Sequence, residues 1–76
     1  MITAYLLINV ESVNPVLVAE ELILCEEVDN VHQIVGEYDL IARVTAKDVI
    51  HLREHVLKDI EHIKGVVKIT SLVVED

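Results

Sequence analysis

The chain has 76 residues, 53% of them hydrophobic, and its six basic and fourteen acidic residues give a formal net charge of -8. That is the length of one domain, residues 1–76. An acidic balance without a Lys/Arg cluster, with only Tyr5 and Tyr38 for base stacking, excludes a nucleic-acid surface. The N-terminal apolar run stops at Asn9 and has no basic region before it, so neither a membrane span nor a signal peptide is expected.

Ile2 to Val10 is apolar and rich in β-formers. Ile2, Ala4, Leu6, Ile8 and Val10 fall on one face, and Thr3, Tyr5, Leu7 and Asn9 on the other. A strand apolar on both sides belongs in the middle of a sheet. Asn14 and Pro15 then form a helix start, an N-cap followed by a first-turn proline. The helix is predicted from Pro15 to about Glu26, with Val18, Leu22 and Cys25 on one stripe and Ala19 beside it. Val16, Leu17, Ile23 and Leu24 lie off the stripe and are expected to meet another subunit. Cys25 is the only cysteine, which excludes an internal disulfide, and its apolar neighbours mark it as a small buried hydrophobe.

Val28 to Val35 reads as a second strand and Leu40 to Thr45 as a third. The break between them, Gly36-Glu37-Tyr38-Asp39, holds two turn formers and makes the pair a hairpin. Turn chemistry alone accounts for Gly36 and Asp39 at this level. Asp48 is a candidate cap for a second helix, expected from about Lys47 to His62. There Val49, Leu52, Val56, Ile60 and Ile63 recur at spacings of three and four. Gly65 ends that helix, and Val66 to Val74 forms the last strand.

The order β-α-β-β-α-β specifies an α+β, ferredoxin-like sandwich: a four-stranded antiparallel sheet with both helices on one face. The first and last strands are apolar on both faces, so the other sheet face needs a cover. Burying several hundred Å² at ~25 cal/mol per Å² contributes on the order of 10 kcal/mol before association costs. The fold is therefore expected to dimerise through its sheet, as a dimeric α+β barrel.

Little in the chain points to catalysis. His51-Leu52-Arg53-Glu54-His55 matches the short H-x-x-E-H pattern of one zinc protease class. Five residues match readily by chance, and both histidines lie off the apolar stripe of an ordinary amphipathic helix. Ser12, Cys25, His32 and Ser71 are scattered. The two glycines lie 29 positions apart, so there is no Gly-rich phosphate loop. Glu20-Glu21 and Glu26-Glu27 read as a solvated helix face. No cofactor, metal site or enzyme activity is expected.

Val31-x3-Val35-Gly36-x-Tyr38-Asp39-Leu40, followed about 25 residues later by Gly65-Val66, resembles the effector-binding domain of the Lrp/AsnC transcription regulators, often called the RAM domain. The resemblance covers essentially the whole chain. It implies sheets packed face to face in a dimer, dimers assembled in rings of four or five, and cytoplasmic amino-acid sensing linked to transcription. It places a small amino-acid effector between dimers, near Gly36, Glu37, Tyr38 and Asp39. Amides around Gly36 would hold the carboxylate, and Asp39 the ammonium. The helix-turn-helix domain of the full-length regulators has no counterpart in these residues, so the chain reads as a stand-alone effector module that does not itself bind DNA. Two further readings remain open: an assembly protein that joins the rings of full-length regulators, and, on fold analogy alone, a small dimeric-barrel enzyme.

Overall fold

A computed structural model describes residues 1–75 of the chain. Four strands, β1 (Ile2–Val10), β2 (Val28–Gln33), β3 (Leu40–Ala46) and β4 (Val66–Val73), form one antiparallel sheet in the order β2-β3-β1-β4. The two-sidedly apolar first strand is central, as its pattern requires. Helix α1 (Pro15–Ile23) follows β1. The second helix, α2 (residues 49–61), follows β3.

One face of the sheet and both helices close a single core. Ala4, Leu6 and Ile8 of β1 and Leu40, Ala42, Val44 and Ala46 of β3 are buried against Val18 and Leu22 of α1 and Leu52, Val56 and Ile60 of α2. The predicted helix stripes therefore face the sheet, with Ala19, Cys25 and Ile63 half-buried at their margins. Val49 is the exception, at 50% exposure. It is the first helical residue after the Asp48 cap and lies before the helix settles onto the sheet.

Helix α2 is not uniform. It is α-helical over Val49–His51, π-helical over Leu52–Val56 and α-helical again over Leu57–Glu61. The widened turn is marked by the Leu57 amide donating to the Leu52 carbonyl, five residues back. Its core residues Leu52, Val56 and Ile60 recur every four positions. In a regular α-helix that spacing overshoots a full turn by about 40° per step. The wider π turn takes part of this rotation back, so all three stay over the sheet.

Three element ends differ from expectation by two residues or more. Helix α1 stops at Ile23 rather than Glu26, because the Cys25 and Val28 amides donate to Leu22 and Cys25 carbonyls in tight turns that start β2. Strand β2 ends at Gln33, where its last pair is with Leu40. Val35 projects fully into solvent. Helix α2 starts two residues late, since Asp48 accepts the His51 amide at 2.8 Å. At the far end, Gly65 has φ +100, and a Cβ there would overlap Val13 Cγ2. Its carbonyl accepts the Glu11 amide at 2.9 Å, tying the start of β4 to the β1–α1 connection, where Ser12 adopts φ 65.

The opposite sheet face has no helix over it. Tyr5 pairs with Arg43 and Leu72, and Leu7 with Ile41 and Thr70. Asn30, His32, Lys68 and Val74 lie on the same side. Tyr5, Leu7, Ile41, Leu72 and Val74 thus form an apolar band, partly or fully exposed. The charged groups on this face are basic, namely Arg43, Lys68 and the titratable His32. Asp29, at a bulge in β2, reaches one corner, where it accepts the Thr45 hydroxyl at 2.7 Å. Most carboxylates sit instead on the helical layer and its connections, including Glu20, Glu21, Glu26, Glu27, Asp59 and Glu61.

Candidate functional site

The four residues singled out from the sequence occupy the loop 34–39 between β2 and β3, which lies against the end of β1. Two strands can be joined by a floppy excursion or by a clamped one, and this loop is clamped. The Ile34 amide donates to the Asp39 carbonyl at 3.1 Å, continuing the hairpin one step past the last strand pair. The Asp39 amide donates to the Ile8 carbonyl at 2.9 Å, and Asp39 Oδ2 accepts the Val10 amide at 2.7 Å. Asn9 Nδ2 donates to the Glu37 carbonyl at 2.7 Å. One side chain from the loop and one from β1 thus cross-tie them.

Between these ties the chain is open. Gly36 has φ +138, a conformation that side chains rarely adopt, yet no atom lies within 4 Å of where its Cβ would stand. The glycine is required by backbone conformation and leaves open space beside the main chain. Among the described residues, the amides of Gly36, Glu37 and Tyr38 find no intramolecular acceptor. Glu37 is exposed, whereas Tyr38 and Asp39 are half-buried. The loop therefore offers free N–H donors, a fixed carboxylate with one oxygen already engaged, and a partly sheltered phenol. Such a set suits a small molecule bearing both an acid and an amine.

Asn9 and the Val10 amide were not legible as site elements. Their partners lie 28 and 29 positions away, and only a polar residue ending an apolar strand hinted at Asn9.

The other candidates do not converge. His32 pairs with Ile41 on the open sheet face, and Ser71 with Leu6 on the helix-facing side, so the sheet separates them. Cys25 lies after α1, its thiol directed at the Glu21 carbonyl at 3.8 Å. Burial, helped by Asp59, Glu27 and Glu21, pushes the Cys25 thiol above its ordinary pKa, which is the opposite of an activated nucleophile. The rings of His51 and His55 have centroids 5.4 Å apart. Among the described residues, no group of three or more His, Cys, Asp or Glu side chains could hold a metal ion. A shallow groove between the helices, lined by Val13, Leu17, Glu21, Asp59, Ile63 and Lys64, includes no residue of the 34–39 loop. No described helix is long and apolar enough to cross a membrane.

The model of the family described as the Lrp/AsnC ligand binding domain matches residues 3–75. No curated protein matches significantly. Among solved structures, TTHA0845 from Thermus thermophilus is 32% identical over 100% of this chain and 95% of its own, with a TM-score of 0.90. The hypothetical protein PHS023 from Pyrococcus horikoshii is 24% identical, covering 99% of this chain and 90% of its own, with a TM-score of 0.88. The transcriptional regulator NMB0573 from Neisseria meningitidis, solved as a complex with L-Met, is 18% identical with a TM-score of 0.88. The match covers 99% of this chain and 50% of the regulator.

Proposed function

Because the chain belongs to the Lrp/AsnC ligand binding domain family, we propose that it is an effector-binding module for a small amino-acid-type ligand, held by Gly36, Glu37, Tyr38 and Asp39. The family match over residues 3–75 carries this reading. The clamped loop supports it: its unpartnered amides suit a carboxylate, and the free oxygen of Asp39 suits an ammonium. That NMB0573 was solved with L-Met makes methionine the first ligand to test.

The module works as an assembly in the cytoplasm, in transcription-linked metabolic sensing. Two copies close over the open sheet face and bury the Tyr5, Leu7, Ile41 and Leu72 band. The exposed aliphatics of α1 and its cap residue Leu24, at 79% exposure, then contact a further dimer in a ring. A ligand at a contact between dimers shifts assembly only by binding one assembled state better than another. The same open faces support a second reading, co-assembly with longer regulators of the family. Isothermal calorimetry against the twenty amino acids tests the effector proposal. Binding of at least one, abolished by Asp39→Asn, is expected; no heat and no thermal shift with any of them refutes it.

A further inference from the structure

We propose that His51 is a proton-operated latch at the start of α2: neutral, it holds the β3–α2 connection, and charged, it holds the α1–β2 turn. His51 Nδ1 lies 3.1 Å from the Lys47 amide. A backbone N–H only donates, so Nδ1 presents its lone pair and the neutral ring carries its hydrogen on Nε2. That nitrogen faces Glu27 Oε2 across 3.7 Å, beyond a good neutral hydrogen bond but within ion-pair reach. Meanwhile the His51 amide donates to Asp48 Oδ1 at 2.8 Å. Main chain and side chain of one residue thus stitch both sides of the helix start.

Protonation adds a hydrogen to Nδ1. Donor then faces donor, and Lys47 loses its acceptor. The ring's new charge is drawn to Glu27, while the positive end of the α2 dipole pushes it away from the helix start. The charged groups facing it are Lys47, Asp48 and His55 from its own segment, Glu26 and Glu27 from the α1–β2 turn, Asp29 from β2 and the amino terminus at Met1. One bond at the helix start is exchanged for a bridge to the neighbouring turn, without disturbing the core.

Nuclear magnetic resonance tests this on the whole chain. At about pH 8, nitrogen-correlated imidazole spectra are expected to show His51 as the tautomer with its hydrogen on Nε2. On lowering the pH to about 5, across the ordinary imidazole value of ~6.5, protection of the Lys47 amide should fall about fivefold relative to the Leu52 amide. Leu52 is an internal reference because its amide donates to the Asp48 carbonyl, at 3.0 Å, and not to the ring. Glu27→Gln removes the carboxylate that draws the ring away from Lys47, so the Lys47 to Leu52 ratio should fall by less over the same pH range. A hydrogen on Nδ1 at pH 8, a constant Lys47 to Leu52 ratio, or the same fall in Glu27→Gln as in the parent would overturn the proposal.

Discussion

Replacing Asp39 with alanine tests whether the site loop is clamped as described. The substitution removes the acceptor for the Val10 amide, a 2.7 Å bond to a carboxylate at a half-buried position. Leaving a buried donor unpaired costs about 1–3 kcal/mol, and partial solvent access at Val10 places this case at about 1–2. For a domain of this size each kcal/mol moves the melting temperature by about 4–8 °C, so the expected loss is about 5–15 °C. Asp39→Asn keeps an acceptor oxygen and should cost less than ~1 kcal/mol. Thermal unfolding by circular dichroism is the assay, at one fixed protein concentration, because the proposed self-association would make the midpoint concentration-dependent. Asp39→Asn should then melt near the parent yet bind its effector poorly, whereas Asp39→Ala should lose both. An alanine variant melting within about 2 °C of the parent would refute the clamp.

The two glycines separate conformational strain from steric overlap. Gly36→Ala meets open space and should cost about 1–2 kcal/mol from its φ alone, whereas Gly65→Ala adds overlap with Val13 and should cost clearly more in denaturant unfolding. Leu7→Arg places a charge in the centre of the open sheet band; sedimentation should show dimer affinity lowered by about 100-fold, and an unchanged dimer would exclude this face as the contact. The raised Cys25 pKa means the folded thiol keeps its proton after the unfolded one has lost it. That stability is present below the unfolded thiol's pKa and is lost as pH rises through the folded value. Alkylation of Cys25 near pH 8 should accordingly be slower in folded protein than in urea-unfolded protein, and equal rates would contradict its burial.

Much of the architecture was legible because it rests on local periodicity. The alternation in β1, the stripe of Leu52, Val56 and Ile60, and the glycine-bearing break at 36–39 each follow from residues close in sequence. The π turn escaped, since nothing inside Leu52–Val56 breaks a helix. It is the sheet, acting on a four-residue repeat, that selects the wider turn. Tertiary constraints also moved the ends of β2 and α1, where turn hydrogen bonds outcompeted continued strand or helix. At the site, Gly36 and Asp39 could be named, but the double use of Asp39 could not. Its partners, Ile8 and Val10, join only when the β2–β3 hairpin folds back onto the first strand. His51 looked like half of a metal motif and instead serves as an acceptor at a helix start. Asp48 as a candidate cap was the one local signal near that helix start, and the bond from the Lys47 amide to His51 was not legible.

The uneven placement of charge, with Arg43 and Lys68 on the open sheet and most carboxylates on the helices, gives the slab two electrical poles. With a net charge of -8, copies repel one another at low ionic strength, and the repulsion is weakest where the basic sheet face of one meets the carboxylates of another. In the proposed dimer, sheet-to-sheet closure is opposed at long range by like charge and favoured only once the aliphatic band touches. Near physiological salt the fields fade within ~8 Å, and contact chemistry takes over. Ionic strength thus becomes a sorting variable for the proposed dimer: dilute buffers hold copies apart, and cell-like ones let apolar contact decide.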